Sequence, residues 1–177
     1  MKERRISKTL RERAGSVRYI LLDVDGVLTD GRIYVNHHGE EMTVFNIYDG
    51  QGITLLQRSG IGVGILSGRS SGAVMHRAKE LGIADVYQGI PDKNRCYDEI
   101  LRTHGLREEE TSFVGDDLID LPLMRRVGFA VAVSNAVPEV KSCAHLVTER
   151  CGGEGAIREV AELLLKVQGK WNQFYGV

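Results

Sequence analysis

Apolar residues along this chain fall into two alternating patterns. Short unbroken runs occur at Tyr19-Ile20-Leu21-Leu22 and at 61–66, 84–87, 111–114, 129–133 and 145–147. A run of large apolar residues without polar alternation marks a strand buried on both faces, as in a parallel sheet. Between the runs lie helix-length segments. Asp49-Gly50-Gln51-Gly52 opens one that carries Ile53, Leu55 and Leu56, with Asp49 as its candidate N-cap. Others follow Ser70-Ser71 as far as Leu81-Gly82 and cover 94–104, 121–127 and 137–141. The last, 154–167, places Ile157, Val160, Leu163 and Leu164 on one face. This rhythm predicts an α/β fold of three layers, α/β/α, with a mostly parallel, Rossmann-like sheet between helices. One interruption stands out. Segments 32–36 and 41–47 flank His37-His38-Gly39-Glu40, a signal for a projecting β-hairpin whose Gly39 takes positive φ and whose histidines are turn residues.

No linker, repeat or low-complexity tract divides the 177 residues, so one domain is expected over 1–177. Within it we distinguish a basic arm or helix at 1–18, the hairpin at 32–47, and a Gly-rich loop, helix and tail at 150–177. Net charge is −1, which argues against bulk electrostatic binding to nucleic acid or an anionic membrane. No apolar run approaches the length of a membrane span. Lys2, Arg4, Arg5, Lys8, Arg11, Arg13 and Arg18 make the amino-terminal segment basic, without the apolar centre of a signal peptide. Ile6 and Leu10 give it one weak helical stripe, so it reads as a solvated helix or arm. Cys96, Cys143 and Cys151 form no Cys-x-x-Cys pair, which favours reduced thiols, a cytoplasmic location and no zinc site.

In a doubly wound sheet, ligands bind beyond the carboxyl ends of the strands. The polar oddities of this sequence fall there: Asp23 and Asp25, Ser67 and Arg69, Lys93, Asp116 and Asp117. Alternation along a strand puts Asp23 and Asp25 on one face, where two like charges call for a cation. Carboxylates, waters and phosphate oxygens are the ligands Mg²⁺ prefers. Ser67 follows a buried strand and precedes a helix, so its hydroxyl and the helix amides can bind phosphate; Ser70 is an equally good cap. Lys93 sits in the first helical turn after a probable Asp92 cap, where it opposes the helix dipole. An anionic partner explains that placement. Asp116 is the best-placed metal ligand of Gly115-Asp116-Asp117-x-x-Asp120, and Asp120 suits equally a cap before Leu121-Pro122 or a catalytic role.

The stretch Asp23-Val24-Asp25-Gly26-Val27-Leu28-Thr29-Asp30-Gly31 resembles motif one of the haloacid-dehalogenase-like phosphatases, and Ser67, Lys93 and Asp116 match motifs two, three and four. The resemblance implies Asp23 as nucleophile, Asp25 as general acid and base that also lends its backbone carbonyl to the metal, and an aspartyl-phosphate intermediate. It tightens from Tyr19 to Leu165. Phe45-Asn46, Asp49-Gly50-x-Gly52-Ile53, Tyr87-Gln88-Gly89, Gly115 to Pro122 and Gly152-Gly153-x-Gly155-Ala156 look like the 3-deoxy-D-manno-octulosonate (KDO) 8-phosphate phosphatases. That likeness implies a capless fold, Mg²⁺, and hydrolysis of an eight-carbon keto-sugar-acid phosphate in lipopolysaccharide precursor synthesis. It further implies a homotetramer whose hairpin reaches a neighbouring site, and substrate contacts at Asn46, Asp49, Gly50, Arg69, Arg77 and Lys93. Arg77 and a flexible 152–155 loop are candidates to complete a site across the interface. Tyr48 and Thr54 depart from the family, which commonly carries cations there, and Glu154 stands where a basic residue is frequent. A phosphatase for a nine-carbon keto-acid 9-phosphate is the enzymatic alternative. A receiver-like phospho-aspartate switch is the non-enzymatic one, and Asp25, a built-in base for destroying a phospho-aspartate, argues against it.

Overall fold

The computed structural model describes residues 7–174, so Lys2, Arg4, Arg5 and Ile6 of the basic segment lie outside the described residues. The remainder of that segment forms helix α1, Lys8–Ser16, capped by the Ser7 hydroxyl. It buries little beyond Ala14, as expected of a solvated helix. Strand β1, Tyr19–Leu22, is buried along its whole length because its four large apolar side chains alternate between two covered faces.

Among the described residues, six parallel strands make the sheet. After β1 come β4 (Gly62–Leu66), β5 (Asp85–Tyr87), β6 (Thr111–Gly115), β7 (Phe129–Ala132) and β8 (Leu146–Val147), in the spatial order β5-β4-β1-β6-β7-β8. Leu22 pairs with Ile65 on one side and Val114 on the other, so three strand ends converge beside β1. The chain reverses its winding direction at β1, the crevice position for a ligand in such sheets. Helices α2 (Ile47–Arg58) and α7 (Ala156–Val167) pack on each other with α1 beside α7. Helices α4 (Lys93–His104), α5 (Leu121–Met124) and α6 (Pro138–Cys143) form a second contiguous group, and α3 spans Gly72–Glu80. Between β1 and β4 the chain holds only the hairpin and α2. Among the described residues no helix is long and apolar enough to cross a membrane, and all three cysteines are free thiols.

The hairpin is shorter than the apolar pattern suggests. Its strands are only Tyr34–Val35 (β2) and Glu41–Met42 (β3), closed by a turn in which Asn36 Oδ1 accepts from the amides of His38 and Glu40. Residue 47 belongs to α2 instead, because the Asn46 side chain accepts from Tyr48 N at 2.8 Å and starts the helix there. Asn46, not Asp49, is therefore the N-cap. Likewise α3 begins after Ser71 rather than Ser70, and α7 begins two residues later than position 154. The 121–127 segment shrinks to α5 preceded by a 3-10 turn at Leu118–Asp120. Asp92 does cap α4, accepting from Asn94 N and Arg95 N, so Lys93 stands in the first turn as expected.

Candidate active site

Asp23 continues β1 by one residue, its amide donating to Val114 O at 3.1 Å. The chain then turns at once. Val24 O accepts from the amides of Val27, Leu28 and Thr29, and the Thr29 hydroxyl accepts from Gly26 N at 3.2 Å. Strand alternation therefore does not govern Asp25, which lies in the turn after Asp23, and the turn separates their environments. Asp23 is buried, whereas Asp25 is partly exposed and pairs with Arg69 at 3.3 Å. Gly26 holds φ +80°, and a Cβ there would meet Asp116 Oδ2 at 2.0 Å. Only glycine permits the turn and lets the Asp116 carboxylate lie against the backbone.

Lys93 reaches the site from the first turn of α4 and is only 4% exposed. Its Nζ lies 3.0 Å from Asp23 Oδ1 and 2.6 Å from Asp120 Oδ1, over the Phe113 ring. Asp120 is fully buried, and its other oxygen accepts from Asp116 N at 2.9 Å and Asp117 N at 3.3 Å. Its side chain does not cap α5. It anchors the lysine and shapes the β6 turn. Asp117 accepts from Leu118 N and starts the 3-10 turn.

These groups leave negative charge in excess. One oxygen from each of Asp23, Asp116 and Asp120 lies within 4.8 Å of the others. Burial pushes Asp23 up to about 6 despite the Lys93 ammonium, with Asp120 adding repulsion. Burial first, then repulsion from Asp23, Asp120 and Asp117, pushes Asp116 up to about 7. Although desolvation opposes its charge, Lys93 is held above its ordinary value by Asp23 and Asp120. Asp120 has spent its oxygens on Lys93 and two amides. Asp23 and Asp116 are then the pair whose charge a divalent cation would balance, so the donor set fits a hard metal ion.

Ser67 is buried at the end of β4, where its hydroxyl accepts from Arg69 N at 3.2 Å and remains able to donate. Arg69 also forks onto Glu41 of β3, at 2.9 and 3.0 Å, which places the hairpin over Asp25. The other expected substrate contacts gather elsewhere. Asn46, Asp49, Gly50 and Arg77 line a second, mainly apolar recess with Phe45 and Leu81. There Arg77 pairs with Glu80 at 2.7 Å and packs so closely on Gly50 that a Cβ would meet its guanidinium at 2.4 Å. Asp49 is 1% exposed and accepts from Gly155 N and Arg158 N, so it caps α7 from across the structure. Asn46 donates to Gly153 O at 3.1 Å. The loop expected to be flexible is thus pinned: Gly153 N also donates to Val27 O, and Gly152 N to Asn135 Oδ1 at 2.7 Å. Thr29, Glu41 and Asn135 have positions in this network that no residue-type argument singles out.

A buried aspartate–lysine–aspartate line thus lies at the switch point of the parallel sheet, with a second strand-end carboxylate and a strand-end serine beside it. Residues 83–158 match the haloacid dehalogenase-like hydrolase family. A Yersinia pestis protein named 3-deoxy-D-manno-octulosonate 8-phosphate phosphatase KdsC is 46% identical over 90% of this chain and 85% of its own. The protein of that name from Escherichia coli strain K12 is 43% identical over 97% and 91%. Among solved structures, the 3-deoxy-D-manno-octulosonate 8-phosphate phosphatase of Moraxella catarrhalis, in complex with magnesium, phosphate and KDO, superimposes with a TM-score of 0.91. It is 38% identical over 94% of this chain and 95% of that one. The chain belongs to the 3-deoxy-D-manno-octulosonate 8-phosphate phosphatase family.

Proposed function

We propose that this chain hydrolyses a keto-sugar-acid phosphate, 3-deoxy-D-manno-octulosonate 8-phosphate, to the free sugar acid and phosphate, with Mg²⁺ and through an aspartyl-phosphate on Asp23. The observation that carries the reading is the buried Lys93 held between Asp23 and Asp120, with Asp116, raised by burial and by its neighbouring aspartates, beside them. Asp23 attacks phosphorus, forming the Asp23 Oδ–P bond as the bond from phosphorus to the sugar oxygen breaks. Asp25 gives its proton to the departing alkoxide. It then takes a proton from water as that water attacks phosphorus, which releases phosphate and restores Asp23. Lys93 fixes the attacking carboxylate, and the Ser67 hydroxyl donates to a phosphoryl oxygen. Asp23, Asp116 and the backbone carbonyl of Asp25 would hold Mg²⁺, which when bound offsets the charge of the phosphoryl oxygens in transit.

The reading extends to a cytoplasmic homotetramer. Ile33, Val35, Met42 and Val44 of the hairpin region, with Ile47 and Tyr48 at the start of α2, are all more than half exposed. An apolar patch of this kind, rimmed by polar residues, marks an interaction surface. A neighbouring subunit covers it, and the hairpin roofs that neighbour's site. The test is phosphate release with Mg²⁺ across eight- and nine-carbon keto-sugar-acid phosphates, for the wild type and Asp23→Asn. The eight-carbon substrate should be preferred, and Asp23→Asn should be folded and inactive. Near-normal turnover by Asp23→Asn would overturn the covalent mechanism, and indifference to the sugar acid would overturn the substrate.

A further inference from the structure

Asn135 lies in the connection that follows β7, two residues past Val133, and its amide touches none of the candidate reacting groups. Both ends of that amide are spent on backbone. Its Nδ2 donates to Gly26 O at 2.9 Å, and its Oδ1 accepts from Gly152 N at 2.7 Å. A carbonyl on one side and an N–H on the other fix its orientation, because the reverse arrangement would oppose like groups. Gly26 is the residue immediately after Asp25 and the one against which the Asp116 carboxylate lies. Its position therefore decides where that carboxylate can sit.

The same connection holds Asp116 by its main chain, since Val137 N donates to Asp116 O at 2.9 Å. Residues 133–137 thus grip the Asp25 turn with a side chain and the β6 end with a backbone amide. On the far side, Gly152 approaches so closely that a Cβ would lie 1.8 Å from Gly26 O. We infer that Asn135 is a positioning residue of this site: it ties the Asp25–Gly26 turn to the Gly152–Gly153 loop and so fixes the seat of Asp116 and the pair of strand ends that bind the metal.

The inference rests on the proposed phosphatase reading, and its test separates the two. Asn135→Ala is compared with Gln168→Ala, which also removes two hydrogen bonds from a side-chain amide to backbone, to Ala14 O and Val17 O at the α1–α7 contact. Each variant is assayed with the keto-sugar-acid phosphate and an aryl phosphate over a Mg²⁺ titration, and melted with EDTA and with Mg²⁺. Supporting groups behind metal ligands are worth about 10–100-fold. Asn135→Ala should lower kcat by that factor on both substrates while KM stays within about threefold, and raise the half-saturating Mg²⁺ concentration about tenfold. It should also shrink the Mg²⁺-induced rise in Tm, a change that a merely structural role would not produce. Gln168→Ala should lose stability and keep kcat and the Mg²⁺ response. Asn135→Asp keeps the acceptor for Gly152 N, loses the donor to Gly26 O, and should fall between wild type and alanine. If Asn135→Ala fails to fold, Asn135→Asp decides by the same readouts. Kcat and Mg²⁺ response within twofold of wild type, or equal damage from Gln168→Ala, would overturn the assignment. A wild type inactive on the keto-sugar-acid phosphate would sink the substrate reading, while the aryl phosphate and the Mg²⁺ melts would still judge Asn135.

Discussion

Replacing Asp116 by Asn should make the metal-free protein more stable while destroying the metal site. Among the described residues its carboxylate forms no ion pair, and burial and three neighbouring aspartates outweigh Lys93 and lift it from 3.8 to about 7. A carboxyl whose folded value is raised costs nothing below its unfolded value and destabilises increasingly as pH climbs to the folded one. The cost is then absent near pH 4, grows between 4 and 7, and is complete above 7. Such a displacement has a ceiling of about 4 kcal/mol, at about 1.4 kcal/mol for each tenfold change. Asp116 is only partly buried, and solvent screening reduces this to about 1–2 kcal/mol. For a chain of this size that corresponds to a Tm rise of roughly 2–8 °C.

The assay is thermal unfolding of wild type and Asp116→Asn in EDTA at pH 8 and pH 5, repeated with Mg²⁺. In EDTA the variant should melt higher at pH 8, and the gap should narrow at pH 5 as the wild-type carboxyl takes its proton. Added Mg²⁺ should reverse the order at pH 8, because only wild type gains binding energy from a ligand of the folded state. Asp116→Asn melting below wild type in EDTA at pH 8 would refute the reasoning. So would a gap of equal size at both pH values.

Asp25→Asn should keep the backbone carbonyl for the metal but lose proton transfer, lowering kcat on the sugar phosphate by about 10²–10⁴-fold. Aryl phosphates, whose leaving groups need no proton, should suffer least, and equal damage to both substrate types would exclude Asp25 as the acid. Asp23→Asn should abolish turnover and leave the Tm in EDTA equal to or above wild type, since a carboxyl raised to about 6 is also removed; a melt well below wild type would count against that electrostatic account. Mixing inactive Asp23→Asn chains with inactive hairpin-deleted chains should restore activity if the hairpin serves a neighbour's site. Sedimentation as a monomer with full activity on the keto-sugar-acid phosphate would end that idea.

Much of the fold was legible because its strands carry their own signature. Runs such as Tyr19–Leu22 and Phe129–Ala132 have no polar position to face solvent, so burial on both sides was their only economical fate. Boundaries set by a side-chain hydrogen bond were less visible. The 41–47 run is apolar enough for a strand, yet Asn46 captures Tyr48 N and converts its end into helix. Whether Asn46 or Asp49 caps depends on which amide lies within reach, and sequence spacing offers both. Tertiary structure chose: Asp49 stays in the first turn of α2, and its side chain serves the amides of Gly155 and Arg158 instead.

The same distinction explains which parts of the site could be read in advance. Asp23, Lys93 and Asp116 announce themselves, since a charged side chain at the end of a buried strand or in an opposing helical turn costs free energy unless something offsets it. Asp120 announced only that it had a function, and its fully buried contacts resolve the choice: it serves Lys93 and the β6 turn rather than α5. Asn135 announces nothing, because an asparagine in a turn is at home there whatever it touches. Its significance arises from two backbone groups, Gly26 O and Gly152 N, that belong to distant segments and meet only after folding. Charges that conflict with their local element can be found one residue at a time. Neutral amides that hold a site together become visible only when the backbone groups they satisfy are traced one by one.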